Sequence, residues 1–420
     1  MSYENKILQL KKMLGKKKDE KTEKIHFQKP EKPAYTETWM KAGLSVVEND
    51  FGLLFKRQIR YPLIYKHGHY QLHHFFQAVE KWERAKLDHP FSIHSNEKVL
   101  FFDTETTGLK GVGTHIFIIG LLEVEEKEFV LNQYVLADPA NEAAFLFESK
   151  LWQRGKTIVT YNGKSFDWPQ LEMRWTFHKN LLPKLQSHRQ IDLLHSSKRM
   201  WKNNLEKMKL TNVEEEKLGF KRNNDIPGFL APMIYADAVK SGNASSLMKV
   251  LHHNEWDLLS LVTLYIHSTK LLLDDNLQDD AQVHTNIGKW YGDLKEQEQS
   301  EQILLTVTEN FDENDTGLAY FYLALQQKRN KQYDESIQSF QRAIDTIDHR
   351  KKLKSFEQLA ILYEHQIKDY SKALQYTIRG IELIQEGSFL KEEQKKNQLE
   401  HWDKRLQRLK NKNGKYLSIF

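Results

Sequence analysis

The stretch KVLFFDTETTG, residues 98–108, decides the fold of this chain. Its apolar first half is typical of a buried strand, and Asp103 and Glu105 follow at once. Side chains at positions i and i+2 of a strand point to one face, so two carboxylates are predicted side by side at the strand end. Such a pair repels unless a cation lies between the groups, and hard divalent ions prefer oxygen ligands. The alternative is a simple turn, which also favours Asp, Thr and Gly.

A second acidic position follows another predicted strand. Residues 157–161 form an apolar run that ends in Asn162-Gly163, and a helix is predicted to begin near Asp167. An Asn-Gly pair is a strong turn signal. Asp167 could serve as a metal ligand, or only as a favourable charge in the first turn of the helix.

A third segment, HHNEWD at residues 252–257, lies on a predicted helix. His253 and Asp257 are four residues apart and therefore share a face, while His252 lies five residues before Asp257. An imidazole beside a metal-bound carboxylate can accept a proton from an attacking water near neutral pH. A polar surface feature at the start of the helix is the alternative.

The order of predicted elements indicates an α/β domain over residues 95–275. Strands come first and then alternate with helices, which predicts a mixed sheet flanked by helices. The predicted strands are 98–102, 116–122, 129–136, 157–161 and one ending at 191–192, with helices at 142–152 and 166–178. Before this domain we expect a basic flexible tail over residues 1–35 and a small segment with short strands and a helix over residues 36–94.

Over residues 280–420 the sequence pattern predicts helices and no strands. Two segments, near residues 323–343 and 359–380, share a pattern of small and aromatic residues with a period of about 37 residues. This pattern is typical of tetratricopeptide-like helical hairpins that stack on one another, and a degenerate copy is expected around residues 287–307. An ordinary helical bundle is the alternative.

Taken together, the three acidic segments resemble a known superfamily. DTETTG at 103–108, NGKSFD at 162–167 and HNEWD at 253–257 look like the three exonuclease motifs of the DEDD, or DnaQ-like, superfamily, whose members have a ribonuclease H-like fold. IDLLH at 191–195, DIPG at 225–228 and the C-terminal repeats are similar to the YprB group of bacterial ribonuclease H-like proteins. The resemblance covers residues 95–275.

The resemblance implies a two-metal nuclease. Asp103, Glu105, Asp167 and Asp257 would hold two Mg²⁺ or Mn²⁺ ions, of which one would lower the pKa of the attacking water and the other would stabilise the leaving 3′ oxygen. The expected reaction is hydrolysis of DNA or RNA from single-stranded 3′ ends. The general base would be His253 by the YprB-type pattern or His252 by the other histidine spacing of the superfamily, and we narrowly favour His253.

Five further residues are expected to contact the nucleic acid. Asn162 and Lys164 could reach the scissile or adjacent phosphates. Thr106, Thr107 and the backbone of Gly108 could line the pocket of the terminal nucleotide. A turn asparagine and a solvated lysine are an equally good explanation for the first two residues.

The amino-acid composition is consistent with a metal-dependent nuclease and limits the kinds of metal ligand that the chain can offer. The chain has 420 residues, a net charge of +5, 40% hydrophobic and 28% charged residues, and no cysteine, so any metal must bind to oxygen or imidazole ligands. No membrane span or secretion signal is expected, and we predict a cytoplasmic protein. Two other functions stay open: a structure-specific endonuclease of the ribonuclease H-like fold, and an adaptor whose helical repeats recruit a protein partner or nucleic acid.

Overall fold

The computed structural model describes residues 28–108, 111, 113–274 and 279–417. Within these residues, strands β1–β9 form a seven-stranded mixed sheet and a two-stranded ribbon. The strands are β1 (Ser45–Asn49), β2 (Gly52–Pro62), β3 (Lys66–His67), β4 (Tyr70–Gln71), β5 (Lys98–Thr106), β6 (Ile116–Val124), β7 (Glu128–Val135), β8 (Lys156–Thr160) and β9 (Arg189–Asp192).

Helices flank this sheet and then continue alone. Those of the first part are α1 (Thr36–Lys41), α2 (His74–Ala85), α3 (Glu142–Glu148), α4 (Asp167–Phe177), α5 (Leu193–Met200), α6 (Leu210–Val213), α7 (Ala231–Ser241) and α8 (Ser245–Leu273). The rest are α9 (Ala281–Asp293), α10 (Gln297–Asn310), α11 (Glu313–Arg329), α12 (Tyr333–Ala343), α13 (His349–Leu362), α14 (Tyr370–Glu386) and α15 (Glu392–Leu417). The predicted fold class, a mixed sheet with flanking helices followed by an all-α region, is confirmed.

The large sheet has the strand order β1-β2-β7-β6-β5-β8-β9. Hairpin connections make β5, β6 and β7 antiparallel neighbours, whereas β8 and β9 pair in parallel because helical connections precede them. Counted from β5, the central strands run in the order 3-2-1-4-5. The strand with the two carboxylates is therefore the middle one of these five strands.

Two apolar cores cover the two faces of the sheet. Along β5 the side chains alternate, since Phe101 belongs to one core while Leu100 and Phe102 belong to the other. The first core is closed by α2, α5 and most of α8, and the second by α3, α4 and α7. Burying both faces explains why the sequence of β5 is a continuous apolar run.

Helix α8 contributes to both cores. Its first turns place Leu247, Val250 and Leu251 in the second core, and its apolar part from Leu258 onward lies in the first core. Residues 253–257 lie between these two parts of the helix, where α8 crosses the carboxyl end of β5. The fold therefore brings the third predicted motif directly onto the first.

The N-terminal part of the chain shares the large sheet. Strand β2 pairs with β7 over eight residues, from Phe55 with Val135 to Pro62 with Glu128, and β1 extends the sheet by pairing with β2. The predicted division between residues 36–94 and 95–275 thus falls inside one sheet. The predicted basic tail lies outside the described residues up to residue 27, and Tyr35 at its end donates a 2.5 Å hydrogen bond to the Ala137 carbonyl.

The C-terminal helices form hairpins with a regular spacing. Lys295, Lys331 and Lys368 each adopt a positive φ, of 69°, 63° and 61°, at the turn between two paired helices. Ser300 donates a hydrogen bond to the Gly288 carbonyl at 2.7 Å, and the same bond recurs at 2.8 Å one hairpin later. Three hairpins of this kind occupy the described residues 281–386. Membership of the tetratricopeptide family stays a prediction.

The first of these hairpins packs on the sheet domain. Val283, Ile287, Trp290 and Tyr291 of α9 belong to the first core, and Asn286 donates to the carbonyl of Met200 at 3.0 Å. The expected domain boundary near residue 280 therefore precedes a helix that helps to close the core of the previous domain. Among the helices that the structure describes, none is long and apolar enough to cross a membrane.

Candidate active site

Strand β5 presents Asp103 and Glu105 at its carboxyl end. Both side chains are partly exposed, whereas Thr104 and Thr106 between and after them are buried, which is the alternation that a strand produces. A register shift between Glu105 and Thr106 marks the point where the pairing with β6 becomes irregular. Bulges at strand ends often redirect side chains beside active sites.

Asn254 of α8 fixes the orientation of Asp103. Its amide nitrogen donates to Asp103 Oδ2 at 2.8 Å, and its amide oxygen accepts a 2.8 Å hydrogen bond from Gln133. Asn254 is fully buried, and it fits only because residue 120, opposite Asp103 in β6, is glycine. A Cβ atom on Gly120 would lie 2.3 Å from the Asn254 Oδ1 atom.

Three of the predicted residues form a cluster that could hold a metal ion. One ligand atom from each of Glu105, His253 and Asp257 lies within 4.8 Å of the other two. His253 Nε2 lies 3.5 Å from Asp257 Oδ2 across one turn of α8. The two carboxylates offer the oxygen ligands that Mg²⁺ and Mn²⁺ prefer, and the imidazole lies beside them.

Asp167 approaches from the other side of β5. It is the first residue of α4, is 4% exposed, and accepts a hydrogen bond from the Thr104 hydroxyl. Neither Asp167 nor Asp103 belongs to the 4.8 Å cluster, but both lie close enough to interact electrostatically with Glu105 and with each other. The four carboxylates therefore gather at one end of β5.

The electrostatics of the site disfavour four bare negative charges. Burial raises the pKa of Asp103 well above its usual range, and the charges of Asp257, Asp167 and Glu105 raise it further. Burial, followed by the charges of Asp257 and Asp167, does the same to the pKa of Glu105. The pKa of Asp167 rises to about 6, chiefly through burial. Bound cations would relieve this repulsion.

The structure separates the two candidate histidines. His253 faces the carboxylate cluster, and its Nδ1 atom lies 2.8 Å from Asp225 Oδ1. A hydrogen bond from Nδ1 to a carboxylate leaves Nε2 free to accept a proton. The side chain of His252 is 50% exposed, and its Nδ1 atom lies 3.3 Å from Glu255, which is itself bound by Arg57 and Tyr61. Of the two histidines, His253 lies beside the carboxylate cluster, whereas His252 lies towards solvent.

The turn after β8 presents Asn162 and Lys164 to solvent. Asn162 has a φ of 67°, and Asp192 at the end of β9 accepts hydrogen bonds from the backbone nitrogens of Asn162 at 2.8 Å and Lys164 at 3.1 Å. Both side chains are exposed beside the start of α4. Asp192 thus holds the turn and leaves the two predicted substrate contacts available.

The hydroxyl groups of Thr106 and Thr107 form hydrogen bonds within the turn that follows β5. The Thr106 hydroxyl donates to the Gly108 carbonyl at 2.9 Å, and the Thr107 hydroxyl accepts from the His115 backbone nitrogen at 2.9 Å. Gly108 lies against Thr114, whose hydroxyl would be 3.2 Å from an added Cβ. These residues shape the end of β5, and their contact with a nucleotide stays a prediction.

Arg222 is a site residue that the sequence analysis missed. Its side chain is 6% exposed and donates to Glu214 at 2.6 Å and to Asp257 Oδ1 at 2.6 Å. Asp225, which the sequence analysis named only as part of the DIPG segment, accepts a hydrogen bond from Arg222 at 3.2 Å and binds His253. Within KRNND, residues 221–225, an arginine looks like a solvated surface group, and no local signal shows its distant partners.

Comparisons with known proteins agree with this geometry. The family model RNase_H_2, described as RNase_H superfamily, matches residues 100–269, which span β5 to α8. The chain is also 34% identical over 387 residues to "Uncharacterized protein YprB" of Bacillus subtilis (strain 168), covering 89% of this chain and 92% of that protein.

The fold and the acidic site place residues 100–269 in the ribonuclease H superfamily, a class that indicates a nuclease. The similarity to the Bacillus subtilis protein extends through the helical region as well. The chain therefore belongs to the YprB family of proteins with a ribonuclease H-like domain.

Proposed function

We propose that this protein is a metal-dependent nuclease that removes nucleotides from the 3′ ends of single-stranded DNA or RNA. The observation that carries the proposal is the gathering of four carboxylates at the end of β5 with His253 beside them. Its subtype follows from the Asp-x-Glu pair on the first strand of the superfamily domain, which favours an exonuclease over an endonuclease.

Each residue has a distinct part in this proposal. Asp103, Glu105, Asp167 and Asp257 would hold two Mg²⁺ or Mn²⁺ ions, which when bound lower the pKa of a water nucleophile and stabilise charge on the leaving oxygen. His253 accepts the proton of the attacking water at Nε2. Asp225 holds the ring of His253, and Asn254 holds the carboxylate of Asp103.

Arg222 balances the charge of the site. Its guanidinium group lies between Glu214 and Asp257 and leaves Asp257 Oδ2 directed towards His253. A fixed cation beside one carboxylate reduces the repulsion among the four acids before any ion binds. Asn162 and Lys164, exposed on the turn that Asp192 holds, are proposed to contact phosphates of the strand.

The test is a nuclease assay on matched DNA and RNA oligonucleotides labelled at the 5′ end. The wild-type chain should shorten them one nucleotide at a time with Mg²⁺ or Mn²⁺ and be inactive with EDTA. Asp103→Asn should lower the rate at least about 100-fold, because a lost metal ligand removes several kcal/mol of transition-state stabilisation.

Two results would contradict this proposal. Internal cuts without a ladder of single-nucleotide steps would indicate an endonuclease instead. Equal rates for wild type and Asp103→Asn, or full activity in EDTA, would exclude the metal site described above.

A further inference from the structure

The loop before α7 lies against the candidate active site. Asp225 at its start binds His253 Nδ1 at 2.8 Å. Three residues later, a Cβ atom on Gly228 would lie 3.7 Å from His253 Nε2. The loop therefore binds one ring nitrogen of the imidazole that we assign as general base and runs close to the other. Whatever binds at His253 also meets this loop.

The same loop exposes an aromatic ring. Phe229 follows Gly228 directly and is 76% exposed, the largest value for a large apolar side chain among the described residues. Met233 is 60% exposed and lies four residues later, where the single 3₁₀ turn Gly228–Leu230 continues into α7. Residues four apart on a helical segment are neighbours, so a ring and a thioether share one exposed side.

The position of Phe229 and Met233 indicates which kind of ligand would contact them. Consecutive Cα atoms are about 3.8 Å apart, so Phe229 begins one residue from Gly228, where an added Cβ would lie 3.7 Å from His253 Nε2. The base of a nucleotide adjoining a phosphodiester bond at His253 would then lie within reach of this ring. Every base has a face that stacks on an aromatic ring, whatever the sequence.

We infer that Phe229, with Met233 beside it, forms a stacking platform for one base of the single strand next to the bond that is cleaved. This inference rests on the proposed nuclease function and adds a base-binding residue to it. A platform of this kind binds unpaired bases and holds the strand in register with the carboxylates, which is what cleavage of a single strand requires.

The test measures binding separately from cleavage. Full-length protein with Asp103→Asn, which prevents turnover, is titrated with a fluorescent single-stranded oligonucleotide in the presence of Mg²⁺. Adding Phe229→Ala should raise Kd by about 5- to 100-fold, the usual loss for one stacked base. Phe229→Trp should keep tight binding, because the stacking surface is retained.

A matched control is available in Phe177. It is 54% exposed at the far end of α4, ten residues and about 15 Å along the helix from Asp167. Phe177→Ala should leave Kd unchanged. Oligonucleotides with one abasic position near the 3′ end give a second readout: removing the stacked base should weaken binding to the parent protein, and that loss should vanish in Phe229→Ala.

Several outcomes would overturn the platform. If Phe229→Ala binds as tightly as its parent, or loses affinity equally for normal and abasic strands at every position, no base stacks on Phe229. If Phe229→Ala instead changes the sedimentation of the free protein, the ring covers a second copy of the chain. If the wild type cleaves oligonucleotides in any of these cases, the proposed function survives; if it neither binds nor cleaves them, both proposals fail.

Discussion

Asp103 and His253 are each held by a partner that sequence spacing does not reveal. Asn254 donates to Asp103, and Asp225 binds His253 on the side away from the carboxylates. Oriented ligands and bases act faster than mobile ones, because the orientation has been fixed before the reaction begins. At the scale of single residues, the site is defined as much by these partners as by the acidic motif.

The two adjacent histidines should differ sharply in their effect on catalysis. His253→Ala should lower kcat about 100-fold or more, since general-base catalysis contributes at least that much. His252→Ala should change kcat by no more than about threefold, because His252 points to Glu255 and solvent. Steady-state rates of the two variants on one oligonucleotide decide between them. A larger loss for His252→Ala would reverse the assignment.

The sequence predicted the acids and left the histidine pair open for a physical reason. Spacing along a strand or a helix specifies which residues share a face, so Asp103 with Glu105 and His253 with Asp257 could be paired beforehand. The choice of base depends on how α8 is rotated against β5. The role of Arg222 could not be predicted from the sequence, because its partners Glu214 and Asp257 lie 8 and 35 residues away along the chain.

At the scale of elements, one buried network joins the end of β5 to the helices behind it. Glu142 at the start of α3 is 1% exposed and accepts hydrogen bonds from Arg174 of α4 at 2.6 Å, with His178 and His115 also within 3.0 Å. His115 in turn donates its backbone nitrogen to Thr107. The network therefore ties the turn after β5 to α4, the helix that carries Asp167.

The stability of the fold should depend on the ionisation of Glu142. Burial alone would raise the pKa of Glu142, but the hydrogen bonds from His178 and Arg174 outweigh it and lower the pKa from 4.5 to about 2. The folded pKa is depressed, so this stabilisation is complete above pH 4.5 and is lost as the pH falls from 4.5 towards 2. Its size is up to about 3 kcal/mol.

Glu142→Gln isolates this contribution. Urea denaturation of wild type and variant should show a wild-type advantage at pH 7 that shrinks steadily below pH 4.5. A difference in the free energy of unfolding that stays constant from pH 7 to pH 3 would show that the charge of Glu142 does not stabilise the fold.

Elements of the sheet were predicted with unequal success. Strands β5, β6, β7 and β8 lie where the apolar runs placed them, because a strand that is buried on both faces has a strong signal. The 11-residue strand β2 was missed, since Lys56, Arg57, Gln58 and Arg60 interrupt its apolar pattern. The sequence analysis therefore expected only short strands within residues 36–94.

At the scale of the whole molecule, the helical region does not stand apart from the sheet domain. Trp290 of α9 is 6% exposed and packs against His89. The guanidinium carbon of Arg199 lies 5.3 Å from the centre of the Trp290 ring. Tyr291 donates to the Leu272 carbonyl at 2.9 Å. The predicted secondary structure distinguished the helical residues 280–420 from the mixed region before them. Secondary structure alone does not show to which core a helix contributes.

Two tryptophans test this joint core. Trp290→Ala should destabilise the sheet domain by about 3–5 kcal/mol, the usual cost of a truncated buried aromatic side chain. Trp402→Ala removes a similarly buried ring from α15, where it packs on Gly380 of α14, and should leave the sheet domain unchanged. The urea midpoint for loss of nuclease activity is the measurement. Equal shifts for both variants would contradict the assignment of α9 to the first core.

The most direct test of the central claim, that carboxylates from β5, α4 and α8 converge into one metal site, is a calorimetric titration of the full-length chain with Mn²⁺. We expect two ions per wild-type chain, and one or none for Asp103→Asn and Asp257→Asn with the fold intact by circular dichroism. A wild-type chain that binds no Mn²⁺, or variants that bind as many ions as the wild type, would contradict the account.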